Sequence, residues 1–294
     1  MIVLMCFFVY AFLGWCCEVC YAALIHGKFV NRGFLNGPLC PIYGFGVIAV
    51  VFLLDPVKDN FVELFLGSVL ITSFIELTAG FTLEQLFHQK WWDYSDKPLN
   101  IGGYICPLFS LMWGIACMVV VDRIHPFVLG VINLIPDLIA MILLGVFIAL
   151  FLVDMIETVK TILKLNRKLE RIDELSAMIK KTSNEIGENL ATKTIELVSL
   201  KGELEDKMEQ KKKLYTEEMA VQIETKKESI EQLEQRLHNM KQSVGELLDA
   251  SPAGIKRILK AFPNLSSTEY TEALEKLKAY KLNKTEHNQA ENMK

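Results

Sequence analysis

The sequence contains no G-x-x-x-x-G-K-[ST] element, so the chain carries no Walker-type phosphate loop. It also lacks a His-Glu-x-x-His helix and a Gly-x-Ser-x-Gly elbow, the arrangements that present a zinc-bound water or a serine nucleophile. Enzyme chemistry is therefore disfavoured, no catalytic residue is assigned, and no cofactor motif is present. A basic excess is missing as well: the net charge is -4, which gives no footprint for a nucleic-acid partner. The first apolar run has no basic segment before it and no small-residue cleavage site after it, so it reads as a retained span rather than a cleaved leader. Cysteine is absent after residue 117. The seven that precede it fall in or beside apolar runs, where small packing residues are expected and stable disulfides are not. Cys16, Cys17, Cys20 and Cys40 have no histidine companion at ligand spacing, and no metal site is assigned.

What is present divides in two. Residues 1–158 carry 6 Lys/Arg and 12 Asp/Glu, whereas residues 159–294 carry 25 and 23. A change this abrupt marks a boundary between bilayer and water. The first part reads as a transmembrane domain, 1–158, with spans at about 2–25, 38–54, 62–87, 104–121 and 127–153. Lys28, Arg32, Lys90 and Lys97 lie in the connections on one side and only Lys58 and Arg123 on the other. The positive-inside rule then places the N-terminus outside and the tail in the cytoplasm.

Within this domain a pattern recurs 66 positions apart. Gly14, Glu18, Gly37, Cys40 and Pro41 have counterparts in Gly80, Glu84, Gly103, Cys106 and Pro107. Five matches at one offset point to a parallel internal repeat, with units of about 1–60 and 61–125 and the fifth span outside it. Such repeats are related by an axis along the membrane normal, which predicts span 1 opposite span 3 and Glu18 facing Glu84. The glycines permit tight entries, and Pro41 and Pro107 suit a first helical turn.

Glu18 and Glu84 lie near the inner ends of their helices, where an ionisable group faces a cavity or a partner rather than lipid. Glu76 shares a helix face with Glu84 and lies deeper. Arg32 can pair with Glu18 or reach a lipid phosphate. Two facing carboxylates repel unless a proton or a cation intervenes, so a cationic or proton-coupled ligand is easier to accommodate than an anion. The stretch Trp91–Lys97 reads as an interfacial aromatic belt; in the functional alternative, Asp93 and Tyr94 close over an inner vestibule lined by Tyr43 and Asn100. The candidate binding set is thus Glu18, Arg32, Tyr43, Glu76, Glu84, Asp93, Tyr94 and Asn100.

The tail, 159–250, reads as a coiled coil. Ile162, Leu165, Leu169 and Ile172 begin an apolar stripe, and Ile230, Leu233, Leu237, Met240, Val244 and Leu247 form a cleaner one, with a register break near 219–223. Two subunits zipped into a homodimer bury this stripe best; a fold-back near Asn184–Asn189 is the alternative. Residues 251–294 are expected to be short helices, the last opened by a Ser266/Glu269 capping box and ending near Leu282.

The segments Asn31-Arg32-Gly33-Phe34-Leu35-Asn36-Gly37-Pro38-Leu39-Cys40-Pro41-Ile42-Tyr43-Gly44, Trp92-Asp93-Tyr94-Ser95 and Asn100-Ile101-Gly102-Gly103-Tyr104-Ile105-Cys106, with Glu18, resemble the ABC-transporter type IV membrane proteins, the CmpB-like family of Firmicutes. The resemblance covers about residues 1–155 and implies a bacterial plasma-membrane protein of five or six spans. Three function classes follow: a transporter or permease-like subunit for a small or lipid-like solute, a membrane-tethered coiled-coil scaffold or signalling protein, and an intramembrane enzyme acting on a lipid head group. Membrane lipids are partners in all three.

Overall fold

The computed structural model describes residues 1–27, 29–205 and 209–292, with side chains described except at 26, 193, 196–226 and 282–292. The chain divides into two compact units: Met1–Arg167 with Pro252–Leu274, and Lys168–Ser251 with Glu275–Lys294. It is predominantly helical, with one two-stranded sheet among the described residues.

In the first unit, α1 (Ile2–His26) is apolar almost throughout and ends where Gly27, at φ 64°, turns left-handed and returns its N–H to the Ala23 carbonyl. Helix α2 (Pro41–Leu54) starts with Pro41 in the first turn, where no intrahelical donor is lost, and Cys40 N–H donates to Ala11 O at 2.9 Å, tying this start to α1. Helix α3 (Phe61–Phe87) is capped by Asn60, whose side chain accepts from the amides of Val62 and Glu63. Among the described residues, four helical stretches are long and apolar enough to cross a membrane: Ile2–Ile25, Phe61–Phe87, Pro107–Asn133 and Asp137–Thr192. Pro41–Val57 is apolar but shorter.

The third of these stretches corrects the sequence reading. A loop near 122–126 was expected to separate spans 104–121 and 127–153; instead α4 (Pro107–Val119) runs through a π-turn, Val120–Ile124, into α5 (His125–Asn133). The physical reason lies at Pro126, whose ring would collide with the carbonyl four residues back in a regular helix. The π-turn, in which His125 N–H reaches Val120 O, widens the helix there. Arg123 is accordingly a helical residue paired with Asp122 at 2.7 Å, and the next helix, α6 (Asp137–Glu205), begins after Pro136.

Helices α1 and α2, α2 and α3, and α3 and α4 pack as neighbours, and α1 also meets α5. A core of Met5, Cys6, Tyr10, Val128 and Ile132 joins α1 to α5, and Phe7 and Phe8 meet Phe151 of α6 edge-on, with Phe8 also tilted against Phe147. Leu66, Leu70, Phe74 and Phe81 on α3 and Leu108, Leu111 and Ile115 on α4 remain exposed, as lipid-facing residues must.

The C-terminal part contributes to the same unit. Helix α8 (Ala253–Ala261) presents Arg257, whose guanidinium donates to Gly33 O and Phe34 O at 3.0 and 3.1 Å. Phe262 packs edge-on against Trp91, which in turn meets Phe34, so Trp91 is buried inside the protein and is not a belt residue. Strand β2 (Ser266–Ser267) pairs antiparallel with β1 (Gln89–Lys90). This pairing displaces the expected capping box. Ser267, rather than Ser266, accepts the Tyr270 amide at 3.1 Å, and Glu269 lies 3.3 Å from His88. The last helix, α9, runs Thr271–Asn292, beyond the expected end at Leu282.

In the second unit, α6 continues unbroken past Asn184–Asn189, so no fold-back occurs there; Asn and Gly each cost about 1 kcal/mol or less in a helix, too little to break it without a proline. Helix α7 (Glu209–Asp249) leads back: Lys168 Nζ donates to Ala250 O at 2.9 Å and to Ser251 Oγ at 2.7 Å. The expected register break at 219–223 lies outside the residues whose side chains are described.

Candidate functional site

Two constellations occupy the loop-side ends of α1 and α3. Tyr43 donates its hydroxyl to Glu18 Oε1 at 2.6 Å, and Arg32 Nε lies 3.1 Å from Glu18 Oε2. Tyr104 donates to Glu84 Oε2 at 2.6 Å, and Lys90 Nζ lies 3.8 Å from the same oxygen. In each, the glycine one turn before the glutamate makes room for the tyrosine. A side chain at Gly14 would run into the Tyr43 ring, and one at Gly80 would meet Tyr104 and Trp92. The tyrosines are not equivalent by position: 66 residues after Tyr43 stands Phe109, and 66 before Tyr104 stands Pro38.

Each glutamate thus has its own phenol and its own cation. Among the described residues, no bond joins Glu18 to Glu84, and the principal packings place α2 next to both α1 and α3. The hydrogen bond to Glu84, helped by partial burial and the carboxylate charge, pushes the Tyr104 phenol up to about 12. Lys90 completes this corner by donating to Gly102 O at 3.1 Å and by lying over the Tyr104 ring.

Glu76 lies deeper on α3. It is buried, accepts the Tyr94 hydroxyl at 3.2 Å on Oε1, and has no hydrogen-bond partner on Oε2. Tyr94 stacks on Phe109, and burial, reinforced by Glu76, raises its phenol above the ordinary range. Near it, Ser73 donates to Ser110 at 2.8 Å, and Trp113 meets the Tyr43 ring edge-on.

Asp93 and Asn100 shape their own loop. Asp93 Oδ1 accepts the Ser95 amide at 2.9 Å; Asn100 accepts from Gly103 N–H at 3.1 Å and donates to Lys97 O at 2.8 Å. Leu99, Gly102 and Gly103 have positive φ, which requires these restraints or the freedom of glycine.

Two residues outside the expected set organise the first loop. Asp154 of α6 accepts Gly37 N–H at 2.7 Å and both the amide and side-chain nitrogen of Asn36 at 3.0 Å. Arg257 holds the carbonyls of Gly33 and Phe34 from the other side, its guanidinium pulled below its usual range by burial and lifted by Asp154. Asn31 accepts the Trp15 indole N–H at 2.8 Å and the Gly33 amide at 3.0 Å. The amides of Gly37 and Gly103 are therefore taken by Asp154 and Asn100. Nothing in the sequence links Asp154 or Arg257 to residues more than 100 positions away, although an acid four residues before Thr158 on an otherwise apolar helix is a signal of a kind.

A helical bundle with long apolar helices, lipid-facing side chains and paired ionisable groups held off the lipid defines a polytopic membrane protein. The chain belongs to the family described as "Putative ABC-transporter type IV", whose model matches residues 5–159. It is a multi-pass protein of the bacterial plasma membrane. Neither the curated proteins nor the solved structures include a match to it.

Proposed function

We propose that the protein is a permease-like membrane subunit that binds a small or lipid-like solute at the loop-side ends of α1–α4, working with a separate ATPase. The observation that carries the reading is the pair of half-buried constellations, Glu18 with Tyr43 and Arg32 and Glu84 with Tyr104 and Lys90, inside the family-matched segment. A purely structural ion pair does not need a phenol to complete each carboxylate. Here cation and phenol together leave each glutamate able to exchange one partner for a solute group without being stranded in a low dielectric.

The recurrence of Gly-x-x-x-Glu with a tyrosine seated on the glycine supports an internal repeat of units 1–60 and 61–125. In this reading five segments cross the membrane, Pro41–Val57 being the short one, and the remainder of α6 and α7 forms a cytoplasmic coiled coil. With Arg123 in a helix, the connection at 134–136 carries no cation, which strengthens the placement of the Lys28, Arg32, Lys90 and Lys97 side in the cytoplasm. Asp93, Tyr94 and Asn100 belong to the site as the loop that covers it.

A second reading, a membrane-tethered scaffold, is favoured by one observation: the unit Lys168–Ser251 with Glu275–Lys294 lies wholly outside the family-matched residues. An experimental density map of the protein purified in lipid separates the two. Density for a solute or lipid beside Glu18 or Glu84 supports the permease; solid side-chain packing at both supports the scaffold.

A further inference from the structure

Glu76 differs from the other carboxylates of its unit. Glu18 and Glu84 have cations, and Asp154 has three N–H donors, whereas among the described residues no Lys, Arg or His pairs with Glu76. It is 9% exposed, and Oε2 is left without a partner. At 1.5 Å per residue it lies about 16 Å along α3 from the helix end at Phe87. Ser68, Thr72, Gly80 and Glu84 lie with it on one four-residue ridge of α3, which drifts round the helix by about 40° per step. Ser68 is fully buried and its hydroxyl has no partner, while the Thr72 hydroxyl donates to Ser68 O at 2.8 Å. One step further Leu64 is buried and apolar. Between Glu76 and Glu84 the ridge is covered at Gly80 by the Tyr104 and Trp92 rings, and the polar contact to Glu76 comes from the loop side through Tyr94.

An ionised carboxylate with one weak donor in such a place costs several kcal/mol. A neutral acid does not, because it leaves an uncharged oxygen rather than a charge without a partner at Oε2. The groups around it favour this form. On the elements packed against α3, the polar side chains include Tyr43 of α2, already bonded to Glu18, Ser110 of α4, bonded to Ser73 one turn before Glu76, and Tyr94 of the covering loop. On its own helix and β1, Glu84 and Lys90 are paired with each other. None of these supplies a positive charge to Glu76, and the Glu18 carboxylate, which acts on Tyr94, is negative.

We propose that Glu76 is a proton-binding site: a neutral carboxylic acid that exchanges its proton with the loop-side aqueous phase past its partner Tyr94 in the covering loop. A link between its occupancy and solute binding rests on the permease reading above; the occupancy itself does not, and is tested without a solute.

Two measurements on the full-length protein in lipid nanodiscs decide it. The infrared difference between wild type and Glu76→Gln shows a protonated-carboxyl C=O band at neutral pH that shifts on deuteration, and Glu76→Asp, which keeps the acid, retains a band of this kind. Absence of any such difference overturns the proposal. Dicyclohexylcarbodiimide then locates the group in wild type alone, so the result stands even if a variant fails to fold. The acid proton moves to one carbodiimide nitrogen, the carboxylate oxygen adds to the central carbon, and rearrangement gives an N-acylurea that retains every atom of the reagent. The adduct is expected on Glu76 and falls about tenfold per pH unit above the titration midpoint. Adducts confined to Glu18 or Glu84 contradict the proposal.

Discussion

Tyr43 reaches Glu18 by lying across Gly14: the ring fills the space a Cβ would take, and the hydroxyl meets the carboxylate one turn further on at 2.6 Å. Tyr104, Gly80 and Glu84 repeat the relationship. Glycine at these positions is thus a requirement of the site, because any side chain pushes the phenol away from the acid.

Gly14→Ala and Gly80→Ala are accordingly expected to destabilise the protein by about 1–3 kcal/mol each, as overpacking does. Gly46, where an added Cβ meets nothing within 4 Å, is the control and should gain slightly from the better helix propensity of alanine. Thermal unfolding in detergent measures all three. Equal melting of Gly14→Ala and Gly46→Ala would show that the ring does not need the space.

The Tyr104 phenol offers a pH test. Its folded-state value of about 12 lies above the ordinary 10, so its bond to Glu84 contributes fully below about pH 10 and is lost as pH rises toward 12. Spectrophotometric titration of wild type minus Tyr104→Phe should place the missing tyrosinate step near 12; a step at 10 removes the Glu84 bond. At neutral pH the substitution should cost about 1.5–3 kcal/mol, the range for a hydrogen bond to a charged group.

Much of this was legible in the sequence for reasons of period and cost. Apolar runs fix the helices, and the price of a carboxylate in lipid marks Glu18, Glu76 and Glu84 as special before any coordinates. Tyr104 escaped because the offset of 66 points to Phe109, and the phenol reaches Glu84 from a loop whose path depends on Leu99, Gly102 and Gly103 at positive φ. The helical continuity through 120–133 escaped because Asp122, Arg123, His125 and Pro126 fall within five residues, as in a turn, and only the π-turn makes the segment helical. Arg257 was invisible because its partners are backbone carbonyls more than 200 positions away, which carry no side-chain signature.

Arg257 gives a prediction of its own. Arg257→Ala leaves Gly33 O and Phe34 O without their donor and frees α8 from the first loop. Hydrogen exchange should rise at both 31–37 and 253–268, with a stability loss of about 2–4 kcal/mol for two charge-assisted bonds, one partly solvent-compensated. A rise confined to α8 means that the loop is held by Asp154 alone.

The second unit is expected to return within one chain, because Lys168 meets Ala250 and Ser251 at 2.9 and 2.7 Å. A short cross-linker placed at Lys168→Cys/Ser251→Cys in a background without the native cysteines should give an intramolecular loop that runs as a monomer. A covalent dimer instead restores the homodimeric coiled coil that heptad spacing suggests.

The central claim is that the two glutamate constellations hold a ligand, and that the cysteines beside them only fill space. Truncating a carboxylate removes a charged interaction made in a low dielectric, whereas Cys→Ala removes a small apolar group. Native mass spectrometry of the purified protein tests this most directly, comparing wild type with Glu18→Gln, Glu84→Gln and the double variant Cys40→Ala/Cys106→Ala. The account predicts a co-purified lipid or metabolite in wild type and in the cysteine variant that is lost from both glutamine variants; the same species bound in all four contradicts it.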